Sequence, residues 1–353
     1  MNKRQTTFIS FLLLIVIFFE VLLIKWHQFE TTSIVSGKGI IYLLEPGEPI
    51  NNLIQILKTK GSLKNEFYFK LLVKLHHAEH RLQAGEYFFP VGSTPLIIVT
   101  KLLRGEVVQH EFTIVNGWNI YQVLVALAAN PYVKHTLTQE SLKQIAHALG
   151  STQSSPEGLL FPNTYFFTLN TPDVAILQRA YNVMTIYLNQ EWLKRDQNLP
   201  YKTSYQALIV ASMIEKETNI PTEMPIIASI IIKRLAIWMP LQIDSTIIYG
   251  LLPNFKGKLT TNDLHIKSPY NTYVNYGLPP TPIAMPGGNA IFAALHPART
   301  DYLYFVARGE EGGHEFSKTL VEQNAAVQKY QIEPTQGAKQ NNGSINQAKQ
   351  TKK

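Results

Sequence analysis

The sequence contains no cysteine among its 353 residues. This absence excludes disulfide bonds, thiolate catalysis and metal sites with cysteine ligands. The chain also lacks a Walker-type phosphate loop, a G-x-G-x-x-G dinucleotide motif, a G-x-S-x-G nucleophile motif and any internal repeat. The sequence therefore argues against thiol enzymes and against the nucleotide-binding and serine-hydrolase families that depend on those motifs.

Charged residues make up only 16% of the chain, and the formal net charge is +7. Most of this excess lies at the two ends, and the remainder is close to neutral. The segment 334–353 contains four lysines, no acidic residue and almost no large apolar side chains. Its composition predicts a disordered tail. Because no basic stripe is interleaved with stacking aromatic residues, we predict no nucleic-acid partner.

One long apolar run, from Phe8 to Ile24, is interrupted only by Ser10 and Glu20. Its length is near the lower limit for a helix that crosses a bilayer. Basic residues precede the run and charges roughly cancel after it, which predicts a cytoplasmic N-terminus (1–6) and an external bulk. A cleaved signal peptide is the alternative. Since no A-x-A-like cleavage site follows the run, we favour an uncleaved single-pass anchor over 7–26.

The rest of the chain predicts an α+β protein with a small domain (36–107) and a larger one (108–333). In the small domain we expect strands at 40–44 and 85–89 and helices at 50–60, 67–77 and 95–103. In the larger domain we expect helices at 120–128, 175–188, 204–218, 225–237 and 320–330, and a strand at 302–307. Ser204 is the expected N-cap of its helix. Regular periodicity fades between Leu241 and Pro286.

His76, Glu79 and His80 fit the H-x-x-E-H pattern of one class of zinc peptidases. Two histidines one helical turn apart can share a zinc ion, but a third ligand and a polar pocket are also needed. The surrounding unit is too small to build a peptidase. A polar helix end rich in histidine is the simpler interpretation, and we predict neither a metal site nor a cofactor.

Two carboxylates, Glu215 and Glu217, end an otherwise apolar helix. Burial raises the pKa of a carboxyl group, and a protonated carboxyl can give its proton to a leaving oxygen. Residues two apart on a helix point about 200° apart, so these two cannot cooperate as the paired carboxylates of an ordinary glycosidase do. Helical spacing slightly favours Glu217 as the less hydrated group, but it does not decide between them.

Polar and aromatic side chains follow this helix. Gln242 and Asp244 offer hydrogen bonds to a polar substrate, and several tyrosines and asparagines add flat faces and paired donors and acceptors. The latter are Tyr249, Tyr270, Tyr273, Tyr276, Asn271 and Asn275. The segment suits a large, uncharged ligand rich in hydroxyl groups, although each residue alone is better explained by loop capping or by a place at the edge of the core.

Several stretches in the same order make the chain recognisable: 157–162, 211–218, 241–250, 268–273, 277–280, 296–298 and 302–306. On these residues the chain resembles the YceG-like family of endolytic murein transglycosylases from the anchor to the final helix. Two positions depart from the family pattern. Asn163 stands where aspartate is frequent, and Asn116 where glutamate is common. Both replace a charge by an amide, which puts only fine substrate contacts in doubt.

The resemblance implies cleavage of MurNAc–GlcNAc β-1,4 bonds within peptidoglycan strands, leaving 1,6-anhydro-MurNAc ends. Glu217 is then the catalytic acid of a carbon–oxygen lyase that acts on nascent strands and limits their length. The expected substrate-binding residues are Glu157, Gln242, Asp244, Thr246, Tyr249, Asn271 and Tyr273. The expected partners are glycan strands, the membrane and peptidoglycan synthases. The expected location is the bacterial cytoplasmic (inner) membrane with a periplasmic bulk.

The small domain resembles a LysM-type module in its order of strand, Pro-Gly turn and helix. This implies binding of glycans that contain N-acetylglucosamine, and a purely scaffolding domain is the alternative. For the whole chain, three other functions stay open: a muramidase that uses water, a membrane-anchored peptidoglycan-binding scaffold without activity, and a zinc peptidase.

Overall fold

The structure is a computed structural model that describes residues 3–79, 81–137, 140–309 and 312–332. The predicted tail over 334–353 and His80 of the zinc-like pattern lie outside the described residues. The chain forms two compact units. Unit 1 contains the residues up to Glu111 together with Phe166–Thr171, and unit 2 contains Phe112–Tyr165 and the described residues from Pro172 onward. The predicted limits of the two domains remain predictions.

Helix α1 (Lys3–Thr31) contains the apolar run. The most apolar 18-residue window of its stretch Thr7–Thr31 has a mean hydropathy of 2.9 and no buried residue. Twenty-five helical residues extend about 37 Å, which exceeds the roughly 30 Å hydrocarbon core of a bilayer. The helix is therefore consistent with a single-pass membrane anchor. It is longer than the predicted span of 7–26 because it begins at Lys3 and continues to Thr31. Near this end Trp26 and Phe29 pack against Tyr68.

Unit 1 also contains β1 (Ile40–Leu44), α2 (Ile50–Thr59), α3 (Glu66–Leu75), β2 (Gly85–Phe89) and α4 (Pro95–Arg104). The two strands are antiparallel, and Ile40 pairs with Phe89. Alternate residues of β1 are buried, and the side chains of Tyr87 and Phe69 fill the core with them. Both strands match their predicted bounds. The LysM likeness of this unit remains a prediction.

Helix α3 ends two residues earlier than expected, because the backbone of His77 takes a left-handed conformation (φ 50°) that cannot continue a helix. Helix α4 ends at Gly105 (φ 64°), as the glycine predicted.

The following part of the chain contains β3 (His110–Thr113), α5 (Ile120–Ala128), β4 (Val133–Lys134), α6 (Leu142–Ala148), β5 (Thr164–Phe167), β6 (Thr171–Pro172), α7 (Asp173–Lys194), α8 (Ser204–Glu217) and α9 (Met224–Ala236). After these come α10 (Asp244–Gly250), a 3₁₀ turn (Asp263–His265), α11 (Gly288–Leu295), β7 (Tyr304–Ala307), β8 (His314–Ser317), α12 (Leu320–Val327) and a π-turn (Gln328–Ile332). The pairs β3–β5, β4–β6 and β7–β8 are each two-stranded. The predicted α+β class is confirmed.

Helix α8 is the centre of unit 2. Its residues from Ala207 to Ile214 are all buried, as expected for a helix that is apolar on every side. The predicted cap was one residue too late: the hydroxyl of Thr203 accepts a hydrogen bond from Gln206 N–H, and Ser204 is the first helical residue. Because α8 is rigid and buried, it fixes the position of the carboxylates at its end.

Helices α6, α10 and α11 and strands β3, β4, β6 and β8 were not predicted. Helix α10 begins without a side-chain cap, and α11 begins at Gly288 directly after Gly287, so neither has the usual start signal. Helix α7 is longer than expected at both ends, and β7 begins at Tyr304 rather than at residue 302.

Candidate active site

Glu217 is the last residue of α8, and its carboxylate is only partly exposed. Ser245 Oγ donates a hydrogen bond of 2.9 Å to Glu217 Oε1. Ser245 is itself buried in the first turn of α10. The backbone just before α10 is fixed, since Ile243 N–H donates to Thr272 Oγ1 at 3.0 Å. Two separate helices therefore hold one carboxyl group in place.

Burial raises the pKa of the Glu217 carboxyl from 4.5 to about 6. The hydrogen bond from Ser245 acts in the opposite direction because it favours the ionised form, and the nearby carboxylate of Asp244 adds to the increase. His314 and Lys216 lower the pKa slightly through their charge. A carboxyl with this pKa exchanges its proton readily near neutral pH, as a general acid and base must.

Glu217 opens onto a cleft of about 380 Å³. Other residues along this cleft are Glu215, Thr218, Ile220, Ala307 and His314. The cleft gives a substrate direct access to the carboxyl with the raised pKa.

Glu215 also borders the cleft, but its side chain is held by a different segment. Its Oε2 accepts a hydrogen bond of 2.9 Å from the backbone N–H of Gly287, just before α11. Burial raises its pKa as well, and the bond from Gly287 opposes this. Residues 215 and 217 thus contact different elements, as their helical spacing predicts, and Glu215 connects α8 to the start of α11.

His314 approaches the cleft from the strand β8 and is anchored by a second carboxylate. Its backbone N–H donates to Glu223 Oε1, and its Nδ1 lies 2.8 Å from Glu223 Oε2. Thr218 Oγ1 donates to the same Oε2 at 3.1 Å. Burial raises the pKa of Glu223, but these hydrogen bonds outweigh it, so the pKa is lowered. An ionised carboxylate can only accept a hydrogen bond, so the proton between Glu223 and His314 is on Nδ1 of the imidazole. Nε2 is the ring nitrogen outside this hydrogen bond.

Gly313 makes this arrangement possible. Its backbone has φ 69°, and a Cβ placed there would lie 2.5 Å from Glu223 Oε1. Only glycine allows both the left-handed backbone and the close approach of the carboxylate.

Gln242 lies on the loop that leads into α10 and Asp244 is the first residue of that helix. Both were predicted to bind substrate, and both are exposed. Tyr273 donates a hydrogen bond of 2.6 Å to Asp244 Oδ1. Arg234, buried in α9, donates to Gln242 Oε1 at 3.3 Å and to the Leu241 carbonyl at 2.8 Å. The structure therefore brings Gln242, Asp244 and Tyr273 together beside the segment that contacts Glu217.

The other four predicted binding residues have mainly internal contacts: Thr246, Asn271, Glu157 and Tyr249. Thr246 is fully buried, and its hydroxyl bonds to the Ile243 carbonyl and Thr272 Oγ1. Asn271 is fully buried and bonds to the carbonyls of Leu264 and Ile266. These contacts favour a role in shaping the loop, and a direct contact with substrate stays a prediction.

Glu157 is also fully buried, and its Oε2 accepts from the N–H of Ile120 at the start of α5. Burial raises its pKa to about 7, against that hydrogen bond. Tyr249 packs on Tyr270 at a centroid distance of 4.8 Å and is half-buried. The sequence placed Glu157 among the residues that touch substrate, whereas the structure places it in the interior.

Sequence reasoning missed three residues of this site: Ser245, Glu223 and His314. Ser245 follows Asp244 directly and was within reach of the same argument. Glu223 and His314 are far apart in the sequence, and no spacing pattern connects them. Among the described residues, no group of three or more His, Asp or Glu side chains is arranged to hold a metal ion.

Comparison with known proteins places these observations in context. Residues 42–329 match the family model described as the YceG-like family. The chain is 34% identical over 303 residues to a protein named endolytic murein transglycosylase from Bacillus subtilis (strain 168), covering 80% of this chain and 82% of that one. A protein of the same name from Streptococcus pneumoniae serotype 2 (strain D39) is 34% identical over 315 residues, covering 78% of this chain and 56% of its own length. A solved structure of a yceG-like protein from Listeria monocytogenes has a TM-score of 0.51 and 29% identity, covering 82% of this chain and 99% of that one.

Proposed function

The chain belongs to the YceG-like family, and we propose that it is an endolytic lytic transglycosylase of peptidoglycan. One observation carries the proposal: Glu217, with a pKa raised to about 6, lies at the edge of an open cleft and is fixed by Ser245. The chain cleaves peptidoglycan as a lyase. We propose further that it cuts MurNAc–GlcNAc β-1,4 bonds within strands, leaves 1,6-anhydro-MurNAc ends and limits the length of nascent strands.

A single carboxyl is sufficient for this reaction. Protonated Glu217 gives its proton to the glycosidic oxygen as the bond from that oxygen to C1 breaks. The C6 hydroxyl of the same MurNAc then forms a new bond to C1, and ionised Glu217 accepts the hydroxyl proton. The attacking group belongs to the substrate, so it benefits from a high effective concentration and requires no second carboxylate. Glu217 ends the cycle protonated, as it began.

The surroundings of Glu217 suit both halves of this cycle. Burial favours the protonated form needed for the first step, and the Ser245 hydroxyl favours the ionised form needed for the second. The opposing effects leave the pKa near 6, where both forms are populated close to neutral pH. The Glu215 carboxylate accepts a hydrogen bond from Gly287 N–H and thereby supports the position of α11. The exposed Gln242 and Asp244 and the half-buried Tyr273 would contact the sugar hydroxyls.

The decisive experiment is digestion of purified peptidoglycan with the detergent-solubilised full chain, followed by identification of the new sugar ends. Anhydro ends that arise inside strands support the proposal. New reducing ends would indicate a muramidase that uses water. No new ends would favour a non-catalytic, glycan-binding scaffold.

We also propose that the chain is anchored in the cytoplasmic (inner) membrane with its bulk on the outer, periplasmic side, close to peptidoglycan synthases. The apolar run of α1 and the basic residues that precede this run support the orientation. Protease added to spheroplasts should degrade the bulk of the chain. Full protection, or a soluble processed form, would contradict the anchored orientation.

A further inference from the structure

Unit 2 contains a second concave site that shares no lining residue with the cleft of Glu217. It is a groove of about 610 Å³ between the start of α8, the end of α9 and the segment 277–280. Its lining includes Tyr201, Thr203, Tyr205, Gln206, Trp238 and Pro280. We call it the Trp238 groove.

Trp238 is held in an unusual state on the edge of this groove. Its side chain is 76% exposed, although indole is among the largest apolar groups. Its backbone has φ 53°, in the left-handed region that normally takes glycine just after a helix. Both features cost stability, and residues kept in such conformations concentrate at binding sites. The exposed position of this indole therefore lowers the free energy of unfolding of the protein.

The chemistry of the groove defines what it can hold. Tyrosine and tryptophan side chains line the groove together with Thr203 and Gln206, and no charged side chain is among the described residues that line it. Such a surface gives nothing to a phosphate or a nucleic acid. It fits a ligand with flat apolar faces and many neutral hydroxyl and amide groups, which describes the N-acetylated sugars of a glycan strand.

The groove is linked to the catalytic carboxyl through short stretches of chain. Trp238 and Asp244 are six positions apart in the chain, so their Cα atoms lie at most about 21 Å apart. The stretch between them is fixed by Arg234, whose Nη1 donates to the carbonyls of Pro240 (3.1 Å) and Leu241 (2.8 Å). The opposite wall, 277–280, follows Tyr273, which bonds to Asp244. Both walls of the groove are therefore continuous with segments that contact Gln242 and Asp244 beside the active site.

We propose that the Trp238 groove is a distal subsite that binds the glycan strand away from the scissile bond. The inference rests on the proposed function, because an enzyme that cuts inside a strand must hold sugars on both sides of the cut. Trp238 stacks on a sugar ring, and Thr203 and Gln206 bond to its polar groups. The groove binds substrate and transition state equally, since it lies away from the reacting atoms.

The test uses the full chain in detergent, with Trp238→Gly, Trp238→Tyr and, as an aromatic control, Phe292→Ala, whose ring is half-exposed on α11. Each is made in the active protein and in Glu217→Gln. Binding of Glu217→Gln to purified peptidoglycan strands is measured by co-sedimentation. Trp238→Gly should weaken it about 3- to 10-fold, the effect of one lost ring contact, while Trp238→Tyr retains most of it. In the active protein, Trp238→Gly should raise KM by the same factor and leave kcat unchanged.

Folding is controlled by the choice of glycine, which suits φ 53° better than tryptophan does, so Trp238→Gly should melt no lower than the parent. Equal binding and equal KM in Trp238→Gly, or no binding by Glu217→Gln, would overturn the subsite while cleavage by the active protein leaves the proposed function intact. Binding that depends on Trp238 without any cleavage would contradict the proposed function and support the subsite. Trp238-dependent binding to anionic lipid vesicles in place of strands would identify a membrane contact and overturn the subsite.

Discussion

Unit 1 and unit 2 differ in what they bury. In unit 1 the core consists of aliphatic and aromatic side chains such as Tyr87, Phe69 and Leu53, and Ser93 is the one buried polar residue among those described. In unit 2 the described part of the chain buries the charged groups Glu157, Asp173, Glu223 and Arg234 as well as many hydroxyls. Burying a polar or charged group costs free energy unless it is hydrogen-bonded. The difference therefore marks unit 2 as the part in which side-chain position has been fixed for chemistry.

The comparison predicts that carboxylates of the two units respond very differently to the same substitution. The largest effect is expected for Glu217→Gln, which keeps the shape and the hydrogen bond to Ser245 but cannot transfer a proton. General acid catalysis alone contributes about 100- to 10,000-fold, and in the proposed mechanism the same group is also the base. We expect the rate of anhydro-end formation to fall by the upper end of that range or more. Glu215→Gln should cost far less.

The matched control is Glu66→Gln in unit 1, an exposed carboxylate paired with Lys58 and Lys70. It should cleave like the wild type. Activity in Glu217→Gln together with its loss in Glu215→Gln would show that the other carboxylate is the acid. Activity in both would remove the enzyme assignment.

A smaller effect is expected for Glu223, a buried carboxylate of unit 2 that contacts His314 and is not among the proposed substrate contacts. Glu223→Gln removes the carboxylate that holds His314, at a cost of about 1–3 kcal/mol, which corresponds to roughly a 5- to 150-fold lower rate if the loss falls on the transition state. His314→Ala removes a group that lowers the pKa of Glu217, so the pH–rate profile should move to higher pH. An unchanged profile in His314→Ala would contradict this coupling.

Glu157 offers a test on stability in place of rate. Its pKa is about 7 in the folded protein and 4.5 in the unfolded chain. Below pH 4.5 both states are protonated. As the pH rises toward 7 the unfolded chain loses its proton first, so the free energy of unfolding decreases by about 3 kcal/mol. Glu157→Gln has no such proton, so its stability should lack this decrease.

The measurement is the thermal midpoint of the wild type and of Glu157→Gln at pH 4.5 and pH 7.5. In unit 1, Glu66 has a pKa lowered to about 2 by hydrogen bonds from Lys58 and Lys70. Its contribution has the opposite sign and is lost as the pH falls, and it should be far smaller because the group is exposed. Parallel curves for the wild type and Glu157→Gln would show that Glu157 does not titrate in this range.

The smallest effect is expected from removal of residues 335–353, which lie outside the described residues. Their composition cannot bury enough apolar area to order the segment. The shortened chain should keep its thermal midpoint and its rate of cleavage. A decrease of several degrees would show that the tail docks on a folded unit.

The sequence predicted unit 1 more closely than unit 2, and the reason is physical. Strands 40–44 and 85–89 have alternating burial, and α4 ends at a glycine, so local pattern is sufficient. In unit 2, α10 and α11 have no capping side chain, and α11 starts at a glycine. These helices form because the surrounding core holds them, which a window of sequence does not reveal.

The sequence by itself determined the apolar N-terminal run, the apolar helix that ends in Glu215 and Glu217, and the opposite directions of these two side chains. Those features depend on composition and on the 3.6-residue period of a helix. Tertiary structure decided that Glu217 meets Ser245, that Glu215 meets Gly287 and that Glu223 holds His314. Each of these contacts joins segments that are 28 to 91 residues apart. Hydrogen bonds over such separations depend on how the elements pack, and no local period encodes them.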